Sequence, residues 1–255
     1  MNEIQSKKNA LIKDTKKLSQ KKYRQQSGQY LIDGWHLVQE AIRANAAIQT
    51  IFVTSRGYEE SKDSLQTVDA VLYLITEEIA DYLSELPTPQ GIFAVVAKEN
   101  QLPDQLKGNW LILDNVQDPG NVGTMIRTAD AAGFTGVFLG TGTADLYSSK
   151  VLRSMQGSNF HLPIVEGAIP EFIEALRAQE VKIYGTELNK DALAYTNINT
   201  YPAAFILGNE GQGVQKDLLA VTDQNVYIPI YGEAESLNVA IAAGILMYHA
   251  TGLDH

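Results

Sequence analysis

Short apolar runs alternate with polar helical patterns and glycine-marked turns along the chain. Residues 5–26 read as a polar helix closed by Ser27-Gly28. Tyr30-Leu31-Ile32 follows as a short strand, and Trp35 to Ala46 as an amphipathic helix with Leu37, Val38, Ala41 and Ile42 at helical spacing. Strands are predicted at Thr50 to Val53, Val71 to Ile75 and Ile92 to Val96, with a helix around Glu77 to Leu83 and a break at Pro87-Thr88-Pro89-Gln90-Gly91. This alternation makes residues 1–98 a small α/β domain. Residues 99–108 are polar, contain Pro103 and Gly108, and read as a linker. Residues 109–255 repeat the rhythm with longer elements. Strands are predicted at Trp110–Leu113, Gly136–Leu139, Val181–Tyr184, Ala204–Leu207 and Val226–Ile230. Helices are predicted near Val122–Ala132, Lys150–Gln156, Pro170–Ala178, Gln215–Ala220 and Leu237–Thr251. Apolar strands without alternation imply a mostly parallel sheet covered on both faces.

In this second half the best-marked strands run into polar, glycine-rich turns, where open α/β sheets keep their ligands. The first turn is Asp114-Asn115-Val116-Gln117-Asp118-Pro119-Gly120-Asn121-Val122-Gly123, with Arg127 on the early turns of the helix behind it. A guanidinium near the positive end of a helix dipole implies an anion, or developing negative charge, in the crevice. The second turn, Gly208-Asn209-Glu210-Gly211-Gln212-Gly213, has glycines that permit positive φ and close approach to the backbone. The third runs from Ile228-Pro229 to Ser236-Leu237-Asn238, where Ser236 is the expected N-cap of the last helix and Asn238 an unexplained polar residue inside it. A dinucleotide fold, with Asp145 as ribose reader, fits poorly, because neither loop reads G-x-G-x-x-G. No Walker A lysine occurs either.

Composition narrows the chemistry. The 255 residues include no cysteine, which excludes disulfides, thiolate catalysis and Cys-based zinc sites. The four histidines lack metal-ligand spacing, so no metal is expected. No apolar stretch suffices to span a bilayer and the N-terminus is polar, so no membrane association and a cytoplasmic location are expected. The net charge of −10 opposes nucleic-acid binding until its distribution is considered. Residues 1–24 carry eight basic and two acidic side chains, a net +6 that leaves −16 for the rest. A basic arm on an acidic body fits either a phosphate-contacting segment or a solvated helix face.

The three turns resemble, in order and spacing, the signature motifs of the SpoU (TrmH-type) branch of the SPOUT RNA methyltransferases. The first half is similar, more loosely, to that family's N-terminal RNA-binding domain of ribosomal-protein-like fold. There, Asp33 before Gly34 stands where the family usually has Glu. The resemblance implies an α/β architecture with a C-terminal trefoil-knotted SPOUT domain, an exception to the rule that chains do not thread their own loops. It implies S-adenosyl-L-methionine as cofactor, held by Gly208, Ile228 and Leu237, with Thr186, Glu187 and Leu188 as a further wall. It carries functional roles onto Asn121, Arg127, Glu210, Ser236 and Asn238.

The reaction implied is methyl transfer to a ribose 2′-hydroxyl of RNA, with ribosomal RNA favoured over transfer RNA by the presence of the N-terminal domain. The family's Arg is proposed as the base. A guanidinium is a poor base, so Arg127 is better read as a phosphate clamp and stabiliser of the 2′-oxygen, oriented by Glu210. Lys150 and Arg153, three apart on one helix face, are expected to contact RNA, as are Lys16, Lys17, Lys21, Lys22 and Arg24 of the basic arm. Gly244 costs the last helix about 1 kcal/mol relative to Ala. Close approach of another helix would offset that cost, and the resemblance implies a homodimer through such helices. The competing reading is a non-catalytic RNA-binding or ribosome-associated factor that kept the fold.

Overall fold

The computed structural model describes residues 2–99, 101–189 and 191–252. In chain order the elements are β1 (Asn2–Ile4), α1 (Ala10–Lys17), α2 (Lys21–Ser27), β2 (Gln29–Asp33), α3 (Trp35–Arg43), β3 (Ile48–Val53), α4 (Ser55–Leu65), β4 (Val71–Ile75), α5 (Glu77–Leu83) and β5 (Ile92–Ala97). They continue with β6 (Trp110–Leu113), α6 (Pro119–Ala131), β7 (Gly136–Gly140), α7 (Ser149–Met155), β8 (Ile164–Gly167), α8 (Ile169–Arg177), β9 (Lys182–Thr186), β10 (Leu193–Ala194), β11 (Ala203–Leu207), α9 (Lys216–Leu219), β12 (Gln224–Tyr227) and α10 (Val239–Thr251). They form two compact units, and no single cut in the chain separates them. The first unit runs to Glu99 and includes Asp145–Phe160, whereas the second holds the remainder. Segment 145–160, with α7, was assigned from the sequence to the second domain.

The first unit is a mixed five-stranded sheet in the order β1-β4-β3-β5-β2, with β5 antiparallel to both neighbours. One core cluster includes Ile12, Phe52, Ile79 and Phe93. The single polar helix expected over residues 5–26 is instead two helices, α1 and α2, preceded by strand β1. Asn9 caps α1 by accepting from Leu11 N, and Gly28 ends α2 at φ +67°. Strand β1 escapes sequence detection because it is three residues long, mostly exposed, and defined only by pairing with β4. Helix α4 escapes it because its sequence is polar and contains Gly57, a weak helix former.

Segment 145–160 joins this unit through buried polar contacts. Arg24, its side chain only 5% exposed, ion-pairs with Asp145 and donates to Leu18 O at 2.6 Å. Tyr147 packs on Tyr30 at 4.4 Å between ring centroids, and Asn159 donates to the Tyr30 hydroxyl at 3.2 Å. Asp145 therefore serves a buried ion pair.

The second unit is a seven-stranded sheet, β10-β12-β9-β11-β6-β7-β8, parallel throughout. Burial of both faces explains its unbroken apolar strands: β6, β7 and β11 are buried at every residue. Phe172 of α8 stacks on Phe138 and meets Trp110 edge-on, anchoring that helix to the sheet. Because the strands are parallel, the ends of β6, β9, β11 and β12 lie side by side, and their loops converge.

Candidate functional site

The chain leaves β6 at Leu113 and enters α6 through a capped turn. Asp118 accepts from Asn121 N at 2.9 Å, and Pro119 takes a position where its missing N–H is not needed. The turn is tied to the loop after β11 by contacts that sequence reading missed. The buried Asp114 carboxylate accepts from Gln215 N at 2.8 Å and from the Gln215 side-chain amide at 2.6 Å. Asn209 donates to Asn115 O at 2.9 Å while its own oxygen accepts from Gly211 N and Gln212 N. Such short polar residues are common in turns, so nothing in the sequence marked them as fasteners. Gly208 is required by close backbone approach: a Cβ there would lie 2.1 Å from the Gly213 carbonyl carbon.

Glu210 joins these loops to the third. Its carboxylate accepts from Gln117 N (3.2 Å), Asp118 N (3.0 Å) and Asn121 Nδ2 (3.0 Å). Asn121 Oδ1 in turn accepts from Asn238 Nδ2 at 3.1 Å. Burial pushes the Glu210 carboxyl up, but the bonds from Asn121, Asp118 and Gln117 outweigh it, so the group lies below its ordinary range. Three of the five residues carried over as functional thus form one hydrogen-bonded chain across three loops.

The other two differ from expectation. Asn238, not Ser236, caps α10, accepting from Ala240 N at 2.9 Å and Ile241 N at 3.3 Å. Ser236 lies outside the helix, exposed. Arg127 sits past the second turn of α6, beyond the reach of the dipole's positive end. It is exposed and, among the described residues, pairs with no carboxylate, and Glu210 is committed to Asn121 rather than orienting it.

The loops wall a cavity of about 690 Å³. All six residues expected to hold a cofactor line it: Thr186, Glu187, Leu188, Gly208, Ile228 and Leu237. Thr186 is fixed by donation to Ile206 O at 2.8 Å, and Glu187 accepts from Asn225 Nδ2 at 3.2 Å. Leu188 is 70% exposed, an apolar side chain left uncovered at the rim. Among the described residues, no backbone group from Ile230 to Leu237 makes a hydrogen bond within the protein. An unpaired backbone edge, apolar side chains and carboxylates around one cavity suit a ligand with a flat ring, hydrogen-bonding edges and positive charge.

A family model described as the SpoU rRNA methylase family matches residues 108–248, and one described as an MRM3-like substrate binding domain matches residues 9–94. The chain is 46% identical to the 23S rRNA (guanosine(2553)-2′-O)-methyltransferase RlmP of Bacillus subtilis, over 99% of this chain and all of that protein. It is similar to an AdoMet-bound rRNA methyltransferase from Sinorhizobium meliloti, with a TM-score of 0.88, 30% identity, and coverage of 98% and 97% of the two chains. It is also similar to the SpoU methyltransferase AviRb from Streptomyces viridochromogenes in complex with AdoMet, with a TM-score of 0.85, 28% identity, and coverage of 96% and 97%.

The chain belongs to the SpoU rRNA methylase family.

The residues expected to contact RNA belong to the first unit, and their environments differ. Arg24 is buried in its ion pair with Asp145 and cannot reach a phosphate. Lys16 is half-buried, donating to Leu83 O and Ser84 O at the end of α5. Lys17 is exposed but pairs with Asp14 at 2.7 Å, and Lys17 and Lys22 flank the Tyr23 ring. Lys21 and Lys22 are exposed. Lys150 is exposed and Arg153 half-buried on α7, whose cap is Ser148. Arg153 faces the half-buried Asp33 electrostatically.

Proposed function

We propose that this protein transfers a methyl group from S-adenosyl-L-methionine to a ribose 2′-hydroxyl of ribosomal RNA. The observation that carries the reading is the Glu210–Asn121–Asn238 chain of hydrogen bonds, which locks three SpoU loops around one cavity. The cofactor, when bound, supplies a sulfonium-activated methyl group. Gly208, Ile228 and Leu237, with Thr186, Glu187 and Leu188, would hold it.

The protein's task is then to place the hydroxyl in line and to manage charge on its oxygen. Both ends of the Asn121 amide are occupied by protein partners, and the Glu210 carboxylate accepts three N–H bonds. These are positioning residues, and a carboxylate held below its ordinary range is a weak base. Arg127, exposed and without a carboxylate partner among the described residues, supplies the positive charge that holds an RNA phosphate and steadies the developing oxyanion. Ser236, exposed beside the Asn238 cap, is free to meet substrate.

Large-subunit RNA is the proposed substrate, and the first nucleotide to test is the counterpart of the guanosine that the Bacillus subtilis relative is named for. Residues 1–98 serve as the RNA-binding domain with Lys21 and Lys22 supplying charge, joined by Lys150 and Arg153 of α7, which packs with that unit. Residues 109–255 form a trefoil-knotted catalytic domain that pairs into a cytoplasmic homodimer. The test is incubation with labelled cofactor and separated ribosomal and transfer RNA, followed by mapping of 2′-O-methyl positions. Label in large-subunit RNA is expected. Label in transfer RNA alone would move the substrate, and cofactor binding without transfer to either RNA would sink the enzyme reading. Arg127→Ala should keep cofactor affinity and lose turnover by roughly 100-fold, the scale of one oxyanion-stabilising group.

A further inference from the structure

The first unit contains a second built cavity, far in sequence from the SpoU loops. It measures about 320 Å³, within the size range of small-ligand clefts, and is lined by Trp35, Arg56, Glu60, Thr88, Pro89 and Gln90 among others. Its walls are fastened with unusual care for a surface dent. Gln90 Oε1 accepts from Trp35 N at 2.6 Å, Thr54 N donates to Gly91 O at 2.8 Å, and Arg56 Nη2 donates to Pro89 O at 3.0 Å. Gly91 sits at φ +77° with Thr54 Oγ1 only 2.4 Å from where a Cβ would be, and a Cβ on Gly57 would lie 2.6 Å from Gly91 O. The 87–91 loop is therefore held against the starts of α3 and α4.

Its polar groups are only partly used. The Trp35 indole N–H, the Gln90 side-chain NH₂ and the Glu60 carboxylate have no partner among the described residues. Among the described residues, Arg56 makes a single hydrogen bond from a five-donor guanidinium. A half-buried indole offers a flat apolar face, and donors and an acceptor stand around it. The Glu60 carboxylate disfavours a phosphate here and favours a group with its own N–H donors.

We infer that the Trp35–Arg56–Gln90 cavity binds one unpaired nucleobase of the RNA substrate, stacked on Trp35 and read at its edge by Arg56, Glu60 and Gln90. The inference rests on the RNA-methyltransferase reading for the identity of the RNA. It goes beyond that reading in naming a site and a single-stranded element. Single-stranded bases splayed onto aromatic side chains are the usual targets of sequence-dependent RNA recognition.

The chain has two tryptophans, and Trp110 is fully buried in the second unit with its indole N–H donated to Leu106 O. Fluorescence of partly exposed indole therefore reports Trp35 in the intact protein. Titration with homopolymer single-stranded RNA oligonucleotides should quench that emission saturably, and the same strands annealed to their complements should not. In filter binding, Trp35→Phe should retain affinity, while Trp35→Ala and Arg56→Gln should each weaken it about tenfold, the scale of losing one stacked base. Saturable RNA binding without quenching, or with wild-type affinity in Trp35→Ala, would overturn the site. Methyl transfer measured alongside separates the two readings. Transfer with Trp35-independent binding removes the pocket and keeps the enzyme, whereas quenching without transfer keeps the pocket and removes the enzyme.

Discussion

At the scale of single residues, two carboxylates behave in opposite ways. Glu210 is held below its ordinary range by N–H donors, so its contribution is complete above an unfolded value of about 4.3 and is lost as pH falls through the lower folded value. Glu210→Gln should weaken cofactor binding about fivefold at neutral pH, corresponding to about 1 kcal/mol for a charged hydrogen bond discounted for solvent exposure. Calorimetric titration with the cofactor measures this, and an unchanged affinity would remove Glu210 from the loop assembly. Asp33 lies the other way. Burial raises it, the Ser84 hydroxyl and Arg153 only partly offset this, and Asp33 Oδ1 is buried without a partner. Its ionisation therefore opposes folding, so the stability it permits is present in acid and lost as pH rises through the raised folded value. Asp33→Asn should raise the melting temperature at neutral pH and leave it unchanged in acid. The sequence made Glu210 conspicuous because it stands between glycines in a motif. It left Asp114 and Gln215 unmarked, because nothing local signals that residues a hundred positions apart share a hydrogen bond.

At the scale of elements, legibility followed burial. Strands β6 and β11 were recognisable because every residue is buried, and apolar runs of that length have few other homes. Strand β1 and helix α4 were not, since pairing and packing define them rather than their own periodicity. The start of α10 shows how a correct motif yields a wrong boundary. Ser236 and Asn238 are both good capping residues, and only the backbone decides which one caps. Asn238 does two separable things, accepting from Ala240 N and Ile241 N while donating to Asn121. Asn238→Ala should therefore cost about 1 kcal/mol of stability together with activity. Asn238→Asp should keep the cap and the melting temperature but lose methyl transfer, because a carboxylate cannot donate to Asn121 Oδ1. Equal activity in Asn238→Asp and wild type would show that the cap alone matters.

At the scale of the whole molecule, α10 poses a question that the single chain does not answer. It is apolar on all sides, yet only one side meets α6 and β11. Ile241 and Tyr248 are 57% and 58% exposed, and with Ile245 they recur at helical spacing on one stripe. Gly244 was expected to permit close approach of a helix, but among the described residues a Cβ there would meet only Thr128 Cγ2, at an ordinary 3.8 Å. Intrachain packing therefore does not require glycine at this position. If the stripe is where a second copy docks, Ile241→Glu and Tyr248→Glu should convert a dimer to a monomer in sedimentation equilibrium while leaving the far-ultraviolet spectrum intact. Gly244→Ala then separates two origins for the residue. In a monomer it should stabilise α10 by about 1 kcal/mol. In a dimer whose helices cross at Gly244, the added methyl should instead raise the dissociation constant, because a Cβ would stand where the partner helix must pass. A wild-type protein that sediments as a monomer at all concentrations, with Gly244→Ala simply more stable, would leave the exposed stripe to some other partner and remove the homodimer from the proposed function.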